Sequence, residues 1–499
     1  MPDAPGNVVI VGGDTCATSV AAYIANSLGG MSPKITLLDD MSSHGDSSST
    51  LPATVEFCRL LRFDEKSLVT GTGSTFKLGT EHAGWLRKDK RFLHSYGVHG
   101  MPIRLLPFHQ YLLKARLAGD PIDFEEYSLA SMAMRSGRFA YPSMDPASVQ
   151  STLAYGLHVD SHRFAEAMLR HARALGVQHV AATVHSATVQ SDSGFVESVT
   201  LDDGTVLDGD FFIDCSGERA ILIGDALEIG YQSWADALPC DRCAHVSIDD
   251  VRDLSPTTRV VAKENGWSRR VQLLERADFE FFYNADITND NEVAMRFQRD
   301  VGASEQPRYR HIRSGRRASF WHGNCIAIGR SAGDFESLGV SNLSCAHAAV
   351  KRLMSLWPYS DCEPVISQEY NRLAGLEYEQ TRDFIALFYA LSDRDDTTFW
   401  KHCRSLRIPE RLDQRLSLYR SHGRLSWDAG DAYSRDDWLS ILFGLECIPR
   451  NCDPLVDVAD PTQVKELLDQ LRCVIRQAVD RMPRHEVFLE KLHQASGQH

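Results

Sequence analysis

The fold of this chain is decided by residues 7–40, which read NVVIVGGDTCATSVAAYIANSLGGMSPKITLLDD. The stretch opens on an apolar run, β-branched in most positions, that predicts a fully buried strand over residues 7–11. A glycine turn follows, and residues 19–28 then predict a helix with one apolar side. Residues 34–38 predict a second strand, which ends in two aspartates. This order of elements predicts the βαβ unit of a Rossmann-type α/β domain.

The turn between the first strand and the helix predicts a dinucleotide site. A dinucleotide-binding turn reads G-x-G-x-x-G/A, and the corresponding residues here are Gly12, Asp14 and Ala17. The amino end of the helix offers N–H groups and a partial positive charge to a pyrophosphate, while an acid after the second strand receives a ribose hydroxyl. The cofactor-binding residues predicted from this unit are Gly12, Gly13, Thr15, Ala17 and Asp39.

Asp14 departs from that pattern. Glycine normally fills this position because it lets the backbone approach the phosphates, whereas a carboxylate adds bulk and repels an anionic diphosphate. Two interpretations therefore stay open, a cofactor-binding unit and a βαβ unit with a structural role only. The complete order of strand, turn, helix, strand and acid favours cofactor binding.

Composition argues against several classes of protein. The chain has 499 residues, enough for two or more lobes, and its net charge of -14 argues against a nucleic-acid binder, which needs a basic face. The amino terminus lacks a basic region and no apolar run approaches membrane-spanning length, so we expect neither a signal peptide nor a membrane span. The 12 cysteines are scattered and predict reduced thiols in a cytoplasm. The single C-x-x-C, at Cys240 and Cys243, predicts no metal site.

Two later stretches extend the α/β architecture. Residues 211–217 predict a buried strand with a small-residue turn, so a strand of the first sheet recurs far along the chain. Residues 324–333 repeat this design, with Gly329 and Gly333 as further predicted cofactor-binding residues. A helix is predicted to begin near Ser341, where its amino end can meet a flavin ring or an anion.

The remainder of the chain changes character. Three stretches are helical by period, residues 366–391, 409–421 and 464–482. The sequence therefore predicts a dinucleotide-binding lobe over residues 1–358, with a sheet segment inserted at about 236–310. A mostly helical lobe is predicted over residues 359–499.

Lys77 is the candidate catalytic residue, and the residues around it allow two interpretations. It stands between Phe76 and Leu78 in a strand-like run. A lysine there is either a surface residue whose aliphatic part covers apolar surface, or a partly buried ammonium that binds or activates a small polar reagent.

The chain resembles the flavin-dependent tryptophan halogenases over nearly its whole length, as a divergent member. The matching motifs reach far beyond the glycine turn and fall in residues 8–13, 76–85, 92–97, 212–217, 324–329 and 392–400. The resemblance implies an FAD-binding lobe of the two-domain flavoprotein monooxygenase/halogenase kind, with a mostly helical lobe that carries the organic substrate. It also implies that FAD, reduced by a separate flavin reductase, reacts with oxygen and halide to give hypohalous acid, which reaches a lysine beside the substrate.

The resemblance also assigns site residues. Lys77 matches the family's lysine, which would hold or polarise the oxidised halogen close to the attacked carbon. The other matching positions belong to the family's substrate pocket, its halide-binding turn and its aromatic clamp. In this chain they are His94, Tyr96, Ser341, Asn342, Asp428 and Tyr433.

Two departures leave the reaction open. Gly339 replaces the glutamate that the family has opposite the lysine, and the family's tryptophan-rich signature, which discourages simple monooxygenation, keeps only Trp267. Three functions therefore remain: halogenation of an indole, phenol or pyrrole, free or bound to a carrier or peptide; oxidation of an aromatic substrate without halide; and a homologue without activity that binds a ligand or an active paralogue. We expect the first, together with a flavin reductase partner and a homodimer.

Overall fold

The computed structural model describes residues 4–29, 33–39, 46–103, 106–120, 122–249, 253–427 and 430–496. The chain forms two compact units, each built from three segments. The first unit consists of Met1–Ser74, Val159–Ala235 and Ile312–Glu379. The second consists of Thr75–His158, Asp236–His311 and Gln380–His499. The division into lobes at residue 358 stays a prediction.

Strands and helices are interspersed along the chain. The strands are β1 (Asn7–Val11), β2 (Lys34–Asp39), β3 (Ser47–Ser49), β4 (Thr75–Lys77), β5 (Gly79–Ala83), β6 (Arg91–Ser95), β7 (Gly156–Asp160), β8 (Gln178–Ala181), β9 (Val184–Val189), β10 (Val196–Leu201), β11 (Val206–Asp208), β12 (Phe211–Asp214), β13 (Tyr231–Ser233), β14 (Arg242–Ile248), β15 (Thr257–Lys263), β16 (Gly266–Gln272), β17 (Ala277–Tyr283), β18 (Arg308–His311), β19 (Gly315–Arg317), β20 (Trp321–His322), β21 (Cys325–Ala327) and β22 (Gly333–Asp334). The helices are α1 (Thr15–Leu28), α2 (Pro52–Leu60), α3 (Glu65–Thr72), α4 (Phe108–Leu117), α5 (Leu129–Arg135), α6 (Ser161–Ala174), α7 (Asp290–Val301), α8 (Asn342–Ser355), α9 (Pro364–Leu391), α10 (Thr398–Ser405), α11 (Glu410–His422), α12 (Arg435–Gly444), α13 (Pro461–Arg481) and α14 (His485–Ser496).

The first unit is built on a sheet with the strand order β20-β21-β12-β1-β2-β8, parallel except at β20. Strand β1 lies between β2 and β12, and Val8 is opposite both Ile35 and Phe211. The apolar run of β1 is buried on both faces, as expected for a central parallel strand. The predicted strands at residues 7–11 and 34–38 are confirmed, and so is the Rossmann-type α/β fold.

Helix α1 begins at Thr15, earlier than the predicted residue 19. The reason is local, because the side chain of Asp14 accepts hydrogen bonds from the first turn and caps the helix. The helix ends at Leu28, and the next residue, Gly29, has a φ of +50° that favours glycine. Helix α8 begins directly after Ser341, which confirms the predicted helix start.

The second unit contains a sheet with the order β18-β14-β17-β16-β15-β5-β6. All neighbours in it are antiparallel except β5 and β15. In another sheet, β4 pairs in antiparallel fashion with the first residues of β7, and Lys77 lies opposite Gly156.

After α8 the labelled elements of the described chain are all helices, which agrees with the predicted change of character. Helix α9 begins in the first unit and ends in the second. Among the helices that the structure describes, none combines the length and the hydropathy that a membrane crossing requires.

Candidate functional site

The first glycine turn leaves no room for side chains at two positions. Gly12 has a φ of +140°, and a Cβ there would lie 2.2 Å from the carbonyl oxygen of Cys215. A Cβ on Gly13 would lie 1.7 Å from Oδ1 of Asp39. Asp39, the acid that ends β2, therefore lies directly beside the turn. A dinucleotide-binding unit has an acid at this position, where it accepts a hydrogen bond from a ribose hydroxyl. Asp39 is 1% exposed, and its Oδ2 lies 3.6 Å from Nε2 of His179.

The second glycine turn packs against the beginning of α1. Gly329 has a φ of +76°, and a Cβ there would lie 2.7 Å from Sγ of Cys16. At Gly333 a Cβ would lie 2.6 Å from Cε1 of Tyr378. The first unit thus brings the two predicted glycine turns together at the carboxyl ends of its parallel strands, where doubly wound sheets bind nucleotides.

Thr15 and Ala17, the other two residues predicted to bind the cofactor, lie in the first turn of α1. Ala17 is fully buried, in keeping with the small residue that this position needs for helix–strand packing. The hydroxyl of Thr15 donates a hydrogen bond to the carbonyl of Ser161, at 3.3 Å.

Asp14 is the residue that does not match a dinucleotide turn. Its Oδ1 accepts hydrogen bonds from the backbone N–H groups of Cys16 and Ala17, at 2.9 and 3.1 Å. Its Oδ2 lies 3.7 Å from Nη2 of Arg330. The close-packed glycines and Asp39 fit an FAD nucleotide, whereas the pyrophosphate position conflicts with the carboxylate of Asp14.

The amino end of α8 carries the residues that match the halide-binding turn. Oγ of Ser341 accepts a hydrogen bond from the N–H of Ser344, at 3.3 Å. The amide of Asn342 donates to Oδ1 of Asp334, at 3.2 Å. Gly339 has a φ of +71°, so the backbone at the position of the family's glutamate adopts the left-handed conformation that favours glycine.

Lys77 is buried in the second unit. Only 3% of the residue is exposed, and its Nζ lies 5.0 Å from the centroid of the Tyr96 ring. Burial, followed by the positive charge of Arg269, lowers the pKa of the Lys77 amine well below its ordinary value. The interpretation of Lys77 as a surface lysine is therefore wrong, and an un-ionised amine is accessible at lower pH than in a solvent-exposed lysine.

His94 and Asp437 form a hydrogen-bonded pair in the same unit. Nε2 of His94 donates to Oδ1 of Asp437 at 2.8 Å, and only 2% of His94 is exposed. Burial by itself raises the pKa of the Asp437 carboxyl, but the hydrogen bond and charge of His94, with hydrogen bonds from Ser434, hold it below its ordinary value. The His94 ring lies 6.3 Å from that of Tyr96, so this pair and Lys77 flank one tyrosine.

Tyr433 packs near His94 through a shared neighbour. Its ring stacks on Phe384 at 4.3 Å with an interplanar angle of 3°, and the Phe384 ring lies 5.7 Å from that of His94. The hydroxyl of Tyr433 donates to Oγ1 of Thr381, at 3.2 Å. Asp428, the other residue assigned to the clamp, lies outside the described residues.

Sequence reasoning missed Arg269 and Asp437. Arg269 is 7% exposed, occupies the second tryptophan position of the family's signature, and donates from Nε to Oε2 of Glu280 at 2.5 Å. Trp267, the tryptophan that is kept, is fully buried and donates to the hydroxyl of Tyr389 at 3.0 Å. The sequence around Asp437 contains one local pattern, since Ser434 and Asp437 have the spacing of a helix capping box. This pattern predicts the start of a helix but not the contact with His94.

Comparison with known proteins matches residues 7–461 to the family described as tryptophan halogenase. BrvH, a flavin-dependent halogenase from Brevundimonas sp. BAL3, has a TM-score of 0.93 and 32% identity, covering 98% of this chain and 99% of that chain. Xcc4156, a flavin-dependent halogenase from Xanthomonas campestris, has a TM-score of 0.93 and 30% identity, covering 98% of each chain. Tryptophan 6-halogenase SttH from Streptomyces toxytricini is 26% identical, covering 97% of this chain and 98% of its own length. Because the family match spans most of its length, this chain belongs to the tryptophan halogenase family and is an enzyme of the flavin-dependent halogenase type.

Proposed function

We propose that the protein halogenates an aromatic substrate through Lys77. Bound reduced FAD would supply two electrons with which oxygen and halide give hypohalous acid and water. The observation that supports Lys77 is its burial next to Tyr96, where the charge of Arg269 helps to lower its pKa. The same unit holds the buried His94 with its hydrogen-bond partner Asp437. Perturbed titratable groups in one cluster are typical of functional sites.

The role of Lys77 follows from its surroundings. The lowered pKa favours the un-ionised form of the Lys77 amine. In that form the amine both donates and accepts hydrogen bonds, so it can hold hypohalous acid and polarise its O–halogen bond. The low dielectric of a buried site strengthens this interaction. Electrophilic halogen is then held in position to attack the ring of the substrate.

The substrate that we propose is an indole, phenol or pyrrole, free or attached to a carrier or peptide. His94, Tyr96 and Tyr433 would line its site, supported by the aromatic cluster around Phe384. Asp428, outside the described residues, is proposed as a further substrate ligand.

The remaining assignments concern cofactor, halide and partners. We propose that FAD binds at the two glycine turns and beside Asp39, and that halide binds at the backbone of Ser341 and Asn342. A separate flavin reductase would supply the reduced FAD to a homodimeric protein in the cytoplasm, which agrees with the scattered cysteines.

Activity with a panel of indoles, phenols and pyrroles tests the proposal. Purified protein receives FAD, a flavin reductase, NADH, oxygen and bromide, and products are measured by mass spectrometry. We expect that, only when bromide is present, at least one compound has one hydrogen replaced by bromine.

Lys77→Met should lower the bromination rate at least 100-fold while hypobromous acid release continues. Lys401→Met, at an exposed lysine, is the control. Bromination by Lys77→Met at the wild-type rate would contradict the proposed role.

A monooxygenase is the second candidate, and Arg269 is the observation that favours it. The family's signature has a tryptophan where this chain buries the cationic side chain of Arg269, whose charge helps to lower the pKa of Lys77. Gain of one oxygen atom in the same panel, with equal yield whether or not bromide is present, would support this function over halogenation.

A further inference from the structure

Asp14 places a carboxylate where a dinucleotide would place its phosphates. Its Oδ1 accepts hydrogen bonds from the N–H groups of Cys16 and Ala17, at the amino end of α1. These N–H groups are the ones that a dinucleotide turn directs at the pyrophosphate. The chain thus supplies its own anion at this position.

Arg330 and Glu218 complete a charged group around this carboxylate. Arg330 Nη2 lies 3.7 Å from Asp14 Oδ2, and its Nη1 lies 3.8 Å from Glu218 Oε1. The three residues follow β1, β12 and β21, which are neighbouring strands of the parallel sheet. All three side chains are between 31% and 40% exposed, so a ligand can reach them from solvent.

The net charge of this group determines whether it attracts or repels a diphosphate. Asp14 and Glu218 against Arg330 leave one excess negative charge in the group. Like charges at contact distance repel, and they repel more strongly at the effective dielectric of a protein surface than in water. A diphosphate therefore cannot accept hydrogen bonds from the N–H groups of α1 while these groups donate to Asp14.

We propose that Asp14 is a movable block of the pyrophosphate subsite. On binding, its carboxylate leaves the N–H groups of α1 but keeps Arg330 as its partner. The diphosphate then accepts hydrogen bonds from the N–H groups in its place. Because this exchange opposes binding, the affinity for FAD is lower than it would be with glycine at position 14. Bound FAD therefore dissociates faster. The inference rests on the proposed use of FAD but not on halogenation.

Binding of ADP, measured by titration calorimetry without flavin, halide or aromatic substrate, tests the proposal. ADP carries the pyrophosphate, and adenosine is the uncharged probe. We expect Asp14→Gly and Asp14→Ser to bind ADP at least 10-fold more tightly than the wild type, with adenosine binding changed less than twofold. Ser retains a helix cap without the charge, so it also serves if the glycine variant folds poorly. Asp202→Asn, at an exposed hairpin aspartate, is the control.

Arg330→Gln tests the second part of the exchange. It should weaken ADP binding at least 10-fold in the wild type and clearly less in the Asp14→Gly background, because no carboxylate then needs a partner.

ADP affinities of both Asp14 variants within twofold of the wild type would overturn the proposal, and so would equal gains for ADP and adenosine. Equal losses from Arg330→Gln in the two backgrounds would overturn the role of Arg330. A protein that binds ADP as expected but halogenates nothing would refute only the proposed reaction.

Discussion

At the scale of single residues, the burial of the Lys77 amine is expected to lower the stability of the fold. Its amine is buried, and burial together with Arg269 lowers its pKa. Between this lowered pKa and the unfolded value of about 10.4, the unfolded chain binds more protons than the folded chain. The free energy of unfolding therefore rises with pH across this range.

Lys77→Met is expected to stabilise the protein while removing its activity. At pH 7 the gain in unfolding free energy should be roughly 0.5–2 kcal/mol, because methionine carries no charge that burial would desolvate. The gain should shrink as the pH approaches 10. Thermal midpoints of Lys77→Met and the Lys401→Met control at pH 7 and pH 9 measure this. A midpoint below the wild type at pH 7 would show that the packing of Lys77 outweighs its desolvation.

Asp437 is expected to stabilise the second unit through its charge. Asp437→Asn keeps the shape of the side chain but weakens the hydrogen bond from His94, so we expect a loss of roughly 1–2 kcal/mol at pH 7. The lowered pKa of Asp437 adds a pH signature. Its contribution is present above the unfolded value of about 3.9 and is lost as the pH falls through the folded value.

Denaturant unfolding at pH 7 and near pH 3.5 measures this difference. Asp457→Asn, at a carboxylate that is 73% exposed, is the matched control and should change stability by less than about 0.5 kcal/mol. A loss for Asp437→Asn that stays constant at both pH values would contradict the assigned charge.

At the scale of elements, the glycines that flank α1 at its two ends are required for different reasons. Gly12 combines a φ of +140° with backbone contact to Cys215. Gly29, at the end of α1, has a φ of +50°, and a Cβ there would meet none of the described neighbouring atoms within 4 Å. The same substitution therefore meets steric exclusion at one end of the helix and only backbone strain at the other.

Gly12→Ala and Gly29→Ala are expected to separate these two effects. Gly29→Ala should cost roughly 1–2 kcal/mol and leave ADP binding unchanged. Gly12→Ala must displace β1 from the Cys215 carbonyl, so we expect insoluble protein or loss of ADP binding. Soluble yield, thermal midpoint and ADP affinity are the measurements. Equal behaviour of the two variants would refute the steric argument.

At the scale of the whole molecule, the glycine turns and Lys77 belong to different compact units. We expect Lys77→Met to leave the ADP dissociation constant within twofold of the wild type. The effect of Asp14→Gly on ADP affinity should be the same with Lys77 or Met at position 77, within about 0.5 kcal/mol. Calorimetry on the two single variants and the double variant checks this, and a larger deviation would mean that the two sites are energetically coupled.

The sequence by itself determined the βαβ unit, the later strand at residues 211–214, the helix after Ser341 and the family. These features are carried by local patterns, since apolar runs, helical period and glycine turns each act within a few residues. The motifs for the family are similarly short and contiguous. Asp14 was singled out from the sequence for the same reason, because its conflict with a phosphate is a property of one turn.

Only the tertiary structure decided what Asp14 and Lys77 contact. Asp14 meets Arg330, and Lys77 is buried with Tyr96 and Arg269, so every one of these partners except Tyr96 comes from a distant part of the chain. His94 finds Asp437 in the same way. Burial and charge at a side chain depend on all the elements packed around it, and no periodicity in its own strand encodes them.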